Sequence, residues 1–403
     1  MRVLYCILDN RFGGPHRLAQ AVCRQLREQG VETLFFLGQK SPDVWQPEGG
    51  RAFARRYIQC FTSHHPLRNL AAFALFLPAN LRYIRDLIRS QRVDIVHVDG
   101  VSNFLPALAA RLARTPIIWH YNDHPPGPLR PILLRLVRAL ASTVVVQGDQ
   151  LRNVRTGFDP QLHAKTVVLY PGIDLRQFDP ARYDAAARAQ VRAQWGVPAD
   201  GPLIGMVGNL NRLKGHAYFI QAAQRIKEKR PQARFLVVGR KLNTAPGYWR
   251  KLQHLTARCG LTQEIVFAGF QDDVARLLAA LDVFVLPSVR ESCPNVVLEA
   301  MAMKVPVVAT DVGAVRELVT HEQTGLVVAP RDAEALAQAV LAVLTRPGPQ
   351  VRALVEAARE RIERDFSLDR IAGQQKRLYE DLIHQHPPQD GAQNRDHGTV
   401  LRR

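Results

Sequence analysis

The sequence predicts an α/β protein made of two doubly wound, parallel-sheet domains facing each other across a cleft. Its 403 residues exceed what one core of about 100 to 200 residues ordinarily accommodates. Short β-branched runs alternate with longer helix-period segments, which is the pattern of a parallel sheet covered on both faces. The alternation runs through the chain twice, with a proline-containing, strand-free stretch between the two passes.

In the first pass the strands read as Arg2 to Leu8, Glu32 to Leu37, Asp94 to Val98, Ile117 to His120, Thr143 to Val146 and Thr166 to Leu169. Helical patterns such as Pro15 to Gln29, Leu67 to Ser90 and Leu129 to Ala141 separate them. The second pass gives LIGMVG from 203, RFLVVG from 234, IVFAG from 265, VFVLP from 283, VPVVAT from 305 and GLVV from 325. Between the passes, Pro171, Pro180 and Pro198 and an alanine-arginine segment mark a connection. The division is therefore a first domain over 1–175, a linker over 176–200 and a second domain over 201–366. Crevices at the carboxyl ends of parallel strands take ligands, so the cleft is the expected site.

Composition narrows the function classes. Hydrophobic residues make up 47%, as in soluble globular proteins. The longest apolar run, Leu70 to Ala79, is ten residues and contains Pro78, well short of the about 18 that a spanning helix needs. MRVLYCILDNRFGG reads as a strand running into glycines rather than a secretory leader, which predicts a cytoplasmic protein. Cys6, Cys23, Cys60, Cys259 and Cys293 are odd in number and lack metal-ligand or redox spacing, in keeping with a reducing compartment. Net charge is +18, with both halves basic; nucleic acid, an anionic membrane surface and phosphorylated substrates all suit it.

The chemistry concentrates in RESCPNVVLEAMAMKV, residues 290–305. From Val296 to Met303 the only polar side chain is Glu299, and a carboxylate in an apolar run requires a partner. A strand ends at Pro287, and Pro294 suits the first turn of a helix starting near Ser292 or Cys293. The free amides of that helix mouth make an anion site, most naturally for phosphate. Helical side chains lean toward the N-terminus, so Glu299 reaches back toward the same place, and Glu291 precedes it on the loop. Carboxylates beside a phosphate site suit the hydroxyls of sugars on either side of a diphosphate. GNLNRLKGH, residues 208–216, adds Arg212 and Lys214 as cations for that diphosphate.

The motif E-S-x-P-x-x-x-x-E-A from Glu291, the following K-V-P-V-V-A-T-D-V-G-A-V-R-E-L-V and T-G-L-V-V, the G-N-L-x-x-x-K-G loop, VFAGF at 266–270 and Gly13-Gly14 together resemble the retaining nucleotide-sugar glycosyltransferases of family four. The resemblance covers residues 1–383, more strongly in the second half. It implies the GT-B fold of two Rossmann-like domains, with a nucleotide-sugar donor, UDP-linked by default, on the second domain and a sugar or lipid-linked acceptor on the first. It also implies a final helix, Ser367 to Ile383, that crosses back to the first domain; residues 384–403 then form a polar, disordered tail.

By the same resemblance Glu299 holds the ribose hydroxyls and Glu291 the hydroxyls of the transferred sugar. Backbone amides near Asn295 and Val296, on the loop through Ser292, Cys293 and Pro294, hold the diphosphate. Lys214 stabilises it as it leaves, Gly14 allows close approach, and His120 stands near the reacting sugar. Lys214, Glu291 and His120 are thus the implied catalytic residues. Asn209 departs from the pattern, since many members carry Arg there; Arg212 is the candidate to replace that charge. Arg240-Lys241 also departs from it.

Other readings stand beside these. Glu299 is also compatible with a buried ion pair, Glu291 with a solvated loop, Lys214 and Arg212 with the surface, and His120 with a satisfied strand end. A nucleic-acid-binding protein rests on charge alone, with 7% aromatics and no recognised module. A nicotinamide dehydrogenase would need G-x-G-x-x-G where this chain has D-N-R-F-G-G-P-H. A non-transferase nucleotide-sugar enzyme of the same fold is a further alternative. No Asp-x-Asp occurs, and Pro125-Pro126 break any helix that would align His120 with His124, so no metal and no other cofactor is expected. The arginine-rich helical patterns at 67–90 and 129–141 suit either a solvated sheet cover or a peripheral contact with anionic lipid.

Overall fold

The computed structural model describes residues 1–8, 14–38, 51–55, 66–121, 130–157, 159–198, 201–241 and 246–387. The first sheet contains β1 (Arg2–Ile7), β2 (Glu32–Leu37), β3 (Arg51–Ala54), β4 (Ile95–Asp99), β5 (Ile117–His120), β6 (Thr143–Val146) and β7 (Thr166–Val168). All pairs are parallel, in the order β3-β2-β1-β4-β5-β6-β7. The second holds β8 (Leu203–Val207), β9 (Arg234–Val238), β10 (Ile265–Gly269), β11 (Val283–Leu286), β12 (Val307–Thr310) and β13 (Leu326–Val328), again all parallel, in the order β10-β9-β8-β11-β12-β13. The order in which successive strands are added reverses beside β1 and β8, so each all-parallel sheet presents a switch-point crevice at its carboxyl ends.

Helices cover both sheets. The first domain carries α1 (Gly14–Glu28), α2 (Pro66–Ser90), α3 (Phe104–Ala113), α4 (Arg130–Leu140), α5 (Asp149–Thr156) and α6 (Pro160–Ala164). α7 (Ala185–Gln194) follows, then α8 (His216–Lys229), α9 (Pro246–Arg258), α10 (Val274–Ala280), α11 (Asn295–Ala302), α12 (Val315–Leu318), α13 (Ala333–Thr345), α14 (Gly348–Arg361) and α15 (Leu368–Gln385). The central strands are apolar on both faces, as burial on both sides demands: Val144 to Val146 and Val283 to Leu286 are at most 1% exposed.

Three differences from the sequence reading have physical causes. β3 was not expected; it is a four-residue edge strand, RAFA, with no β-branched residue and exposed or half-buried side chains. The stretch 176–200 contains α7, and Val191 and Val197 join Ile173 and Phe178 in the core of the second domain. Asp184 caps α7 by accepting from the Ala187 amide, which starts a helix that alanine then favours. α15 runs to Gln385, two residues past the expected end, and the part of the tail from 388 lies outside the described residues.

α15 packs on the first sheet although it follows the second domain in sequence. Leu368, Ile371, Ala372, Tyr379 and Leu382 bury against Val3, Val22, Ile95, Ile118 and Val145. A π-helical turn, Ile362–Phe366, separates it from α14 and redirects the chain. Inside the first domain, the Tyr379 hydroxyl contacts His97 Nδ1 at 2.7 Å and accepts from Gln375 Nε2 at 2.5 Å.

Candidate active site

A cavity of about 450 Å³ lies between the carboxyl ends of the two sheets. Its lining on one side includes Tyr5, Asp99, His120 and Gln147 of the first domain and Gln375 of α15. Facing them are Gly208, Asn209, Lys214, Gly239, Glu291 to Val296 and Glu299.

Two loops of the second domain build the charged end. After β8, Asn211 accepts from the amides of Leu213 and Lys214 at 2.9 and 3.2 Å and starts a 3₁₀ turn, Arg212–Lys214. Gly215 ends it with φ +70°, a left-handed conformation that glycine adopts without steric cost. The turn is pressed against the end of β11, where the Val289 amide donates to the Leu213 carbonyl at 2.8 Å. Lys214 thereby spans the gap: Nζ lies 2.7 Å from Glu291 Oε1, and the Ser288 hydroxyl donates to the same oxygen at 2.7 Å. The pair is largely buried, with Glu291 only 10% exposed.

α11 begins at Asn295, with Pro294 at the cap position, rather than near Ser292 with Pro294 in its first turn. Pro294 takes an extended conformation, so the free amides belong to the residues from Asn295 on. The loop before it is held from outside, where the Ala314 amide donates to the Ser292 carbonyl at 2.8 Å. Cys293 is buried, which pushes its thiol well above its ordinary pKa and removes it as a nucleophile.

Glu299 sits in the second turn of α11 and lines the cavity. Burial pushes its carboxyl up to about 7, and the Arg17 guanidinium, reaching over from α1, opposes that rise. Arg17 crosses the cleft to donate to the Asp272 carbonyl and to Asp272 Oδ1, each at 3.1 Å. Beside it the Arg240 guanidinium stacks 3.8 Å from the centre of the Phe270 ring.

His120, at the end of β5, is buried, and among the described residues neither ring nitrogen has a hydrogen-bond partner. Burial lowers its pKa to about 4, so at neutral pH the ring is neutral, with one nitrogen a donor and the other an acceptor.

Of the residues expected in the site, Lys214, Asn209, Glu291 to Val296, Glu299 and His120 converge on one cavity. Arg212 does not; it is exposed, outside the lining, and its charge bears on Tyr248 instead. Asn209 turns its oxygen to the Arg240 amide at 3.1 Å and ties two loops of the second domain together. Gly14 opens α1, while Gly13 and His124 lie outside the described residues. Among the described residues no cluster of three or more His, Cys, Asp or Glu side chains is placed to hold a metal ion. Sequence reasoning missed Arg17, Asp99, Gln147 and Gln375, and named Arg240 only as a departure from the family pattern. Gln375 carried a usable signal, a polar side chain on the buried stripe of Ile371, Tyr379 and Leu382, the same kind that marked Glu299.

Residues 12–177 match the family model described as Glycosyltransferase Family 4, and residues 201–346 match the one described as Glycosyl transferases group 1. The chain belongs to the family four glycosyltransferases. It is 30% identical over 266 residues to D-inositol 3-phosphate glycosyltransferase of Corynebacterium urealyticum, covering 65% of this chain and 62% of that relative. It is 32% identical over 220 residues to the lipopolysaccharide core biosynthesis mannosyltransferase LpsB of Rhizobium meliloti, covering 54% of this chain and 61% of the relative. The matched region thus spans about three fifths of each of these relatives. In fold, this glycosyltransferase superposes on Anabaena Alr3699/HepE in complex with UDP and glucose with a TM-score of 0.81 at 21% identity, covering 94% of this chain and 99% of the other. The architecture is GT-B, two parallel-sheet domains about a cleft.

Proposed function

We propose that this glycosyltransferase moves a hexosyl group from a nucleotide diphosphate sugar, UDP-linked by default, to a hydroxyl of a sugar or lipid-linked acceptor with retention of anomeric configuration. The observation that carries the reading is the placement of Lys214, Glu291 and the α11 amides on one wall of the cavity, with Glu299 beyond them. A diphosphate at the helix mouth meets free amides and a cation together. Glu299 accepts the ribose hydroxyls, Glu291 the hydroxyls of the sugar, and Phe270 with Arg240 offers the nucleobase a flat face. The C1–oxygen bond to the diphosphate breaks through an oxocarbenium-like transition state. The acceptor oxygen bonds to C1 from the same face, and its proton passes to the departing phosphate. Lys214 and the amides stabilise charge that grows on that phosphate, and this same-face route needs no covalent protein nucleophile. Proton NMR of the first product formed tests retention: the anomeric coupling should match that of the donor, and an inverted coupling overturns the stereochemical assignment.

We also propose that the cation and amides serve without a divalent ion. Transfer should then proceed in EDTA; loss on chelation that manganese restores contradicts this.

Glu299 predicts a pH dependence. Its carboxyl titrates at about 7 in the empty site, and the ionised form is the one that binds ribose hydroxyls. Affinity is therefore full above 7 and is lost as pH falls through it, by about tenfold from pH 8 to pH 6. A sugar nucleotide is the right probe, since its diphosphate has no group titrating in this range. Glu299→Gln should weaken binding by roughly 1 to 3 kcal/mol and flatten the profile. Calorimetry showing wild-type affinity in a folded variant removes Glu299 from the site.

The acceptor reading includes a peripheral membrane contact on the cytoplasmic side. Exposed Leu75 and Phe76 of α2, Leu112 of α3 and Ile132 of α4 lie on helices that pack as neighbours, with Arg82 80% exposed beside them. The side chains of Arg68 and Leu70 lie outside the described residues. No described helix is long and apolar enough to cross a membrane. Basic residues near an anionic surface contribute about 1 kcal/mol each. Co-sedimentation with phosphatidylglycerol vesicles is expected at low salt and should fade at high salt. No pelleting at low salt excludes the contact.

A further inference from the structure

Glu317 lies in the second domain but spends its carboxylate on the first. Its Oε2 accepts from the Asp149 amide at 2.6 Å and from the Tyr170 hydroxyl at 2.5 Å, and its Oε1 accepts from the Gln150 amide at 3.0 Å. It thus serves as an N-terminal anion for α5, supplied from 168 residues away in sequence. The approach is close. A Cβ built on Gly148 would lie 2.6 Å from Ala314 Cβ and 3.2 Å from Glu317 Oε1.

Both ends of this contact lead to the cavity. On the first domain, Gln147, two residues before Asp149, and Tyr170, which Glu317 binds directly, line it. On the second, three residues before Glu317, the Ala314 amide holds the Ser292 carbonyl. Gly313, at φ +56°, packs so tightly there that a Cβ would meet that oxygen at 2.3 Å. Arg361 fixes the segment from behind, donating to the Glu317 carbonyl and to the Thr320 hydroxyl, both at 2.7 Å.

We propose that Glu317 is a positioning residue for transfer: it latches the acceptor-side segment 147–150 to the segment that holds the donor loop, and so sets the distance across which the sugar moves. The proposal rests on the donor and acceptor reading above. It separates two properties. A nucleotide contacts the second domain, whose loop keeps the Ala314–Ser292 bond without the latch, so UDP affinity stays unchanged. Transfer needs both walls in register, so turnover falls.

The test uses the full chain, with UDP as binding probe, UDP release from the best-binding sugar nucleotide as turnover, and small-angle X-ray scattering of the empty protein as a measure of cleft opening. Glu317→Ala is expected to hold the UDP dissociation constant within about twofold, lower turnover about 10- to 100-fold and enlarge the radius of gyration. Glu317→Gln keeps one carbonyl acceptor but turns an amide donor toward donors, and should fall between. Tyr170→Phe should cost less, and its loss should not multiply with that of Glu317→Ala, because both remove the Tyr170–Glu317 bond. Gly148→Ala leaves the carboxylate intact and wedges the same contact, so it should reproduce the enlarged radius. Wild-type turnover and scattering in Glu317→Ala would reduce the contact to a helix cap, and equal losses of UDP affinity and turnover would place its effect in the donor pocket; either overturns the proposal. Scattering needs no substrate, so the latch and the glycosyl-transfer reading fail separately: a wild-type protein that binds no nucleotide refutes the second alone.

Discussion

Replacing Lys214 with alanine is expected to lower turnover about 100-fold to 1000-fold while changing donor affinity by much less. In the empty site the ammonium is neutralised by Glu291 at 2.7 Å, so the ground-state diphosphate competes with an existing partner for it. In the proposed transfer, negative charge builds on the leaving phosphate as the C1–oxygen bond breaks, and that competition shifts toward the phosphate. An interaction that strengthens only along the reaction raises turnover rather than binding. The variant also strands Glu291, which retains the Ser288 hydroxyl as a donor at 2.7 Å and so stays in place. Steady-state kinetics at saturating donor decides the matter, and turnover within a few-fold of wild type removes Lys214 from the catalytic machinery.

Gly215→Ala should have the largest effect on stability. A Cβ there would lie 1.7 Å from the Pro287 carbonyl oxygen, and that oxygen is backbone at the end of β11, not a side chain able to swing away. The residue also holds φ +70°, which strains any L side chain. A loss of about 3 kcal/mol or more is expected, with turnover falling because the Lys214 turn must lift from β11. Gly196→Ala is the control. Gly196 has φ +63° but nothing within 4 Å of its Cβ position, so its loss should be only the backbone strain of about 1 to 2 kcal/mol. Chemical denaturation of both variants separates crowding from strain; equal losses would mean that the close approach is not fixed in the native state.

What the sequence could disclose followed from local periodicity and from polar residues in the wrong place. Glu299 stood out because Val296 to Met303 has no other polar side chain, and β2, β5, β6 and β10 were bounded correctly because each is a mostly apolar run of β-branched and aromatic residues. β3 escaped because an exposed edge strand needs neither apolar alternation nor β-branched residues. The start of α11 was placed early because proline suits the cap as well as the first turn. Arg17 with Asp272, and Glu317 with Tyr170, are cross-domain pairs 255 and 147 residues apart, and no period within a helix or strand encodes them. Arg212 misled for the opposite reason. It shares a three-residue turn with Lys214, yet only one of the two side chains faces the cavity.

The measurement closest to the central claim is thermal stability of the wild-type protein against a panel of sugar nucleotides. A ligand bound by the native state alone, at 100 times its dissociation constant, adds about 2.7 kcal/mol. One donor, UDP-linked by default, should raise the transition accordingly, and Glu299→Gln should lose about a third to nine tenths of that rise at the same concentration. A transition unmoved by every sugar nucleotide at millimolar concentration would contradict the assignment of this cleft to a nucleotide-sugar donor.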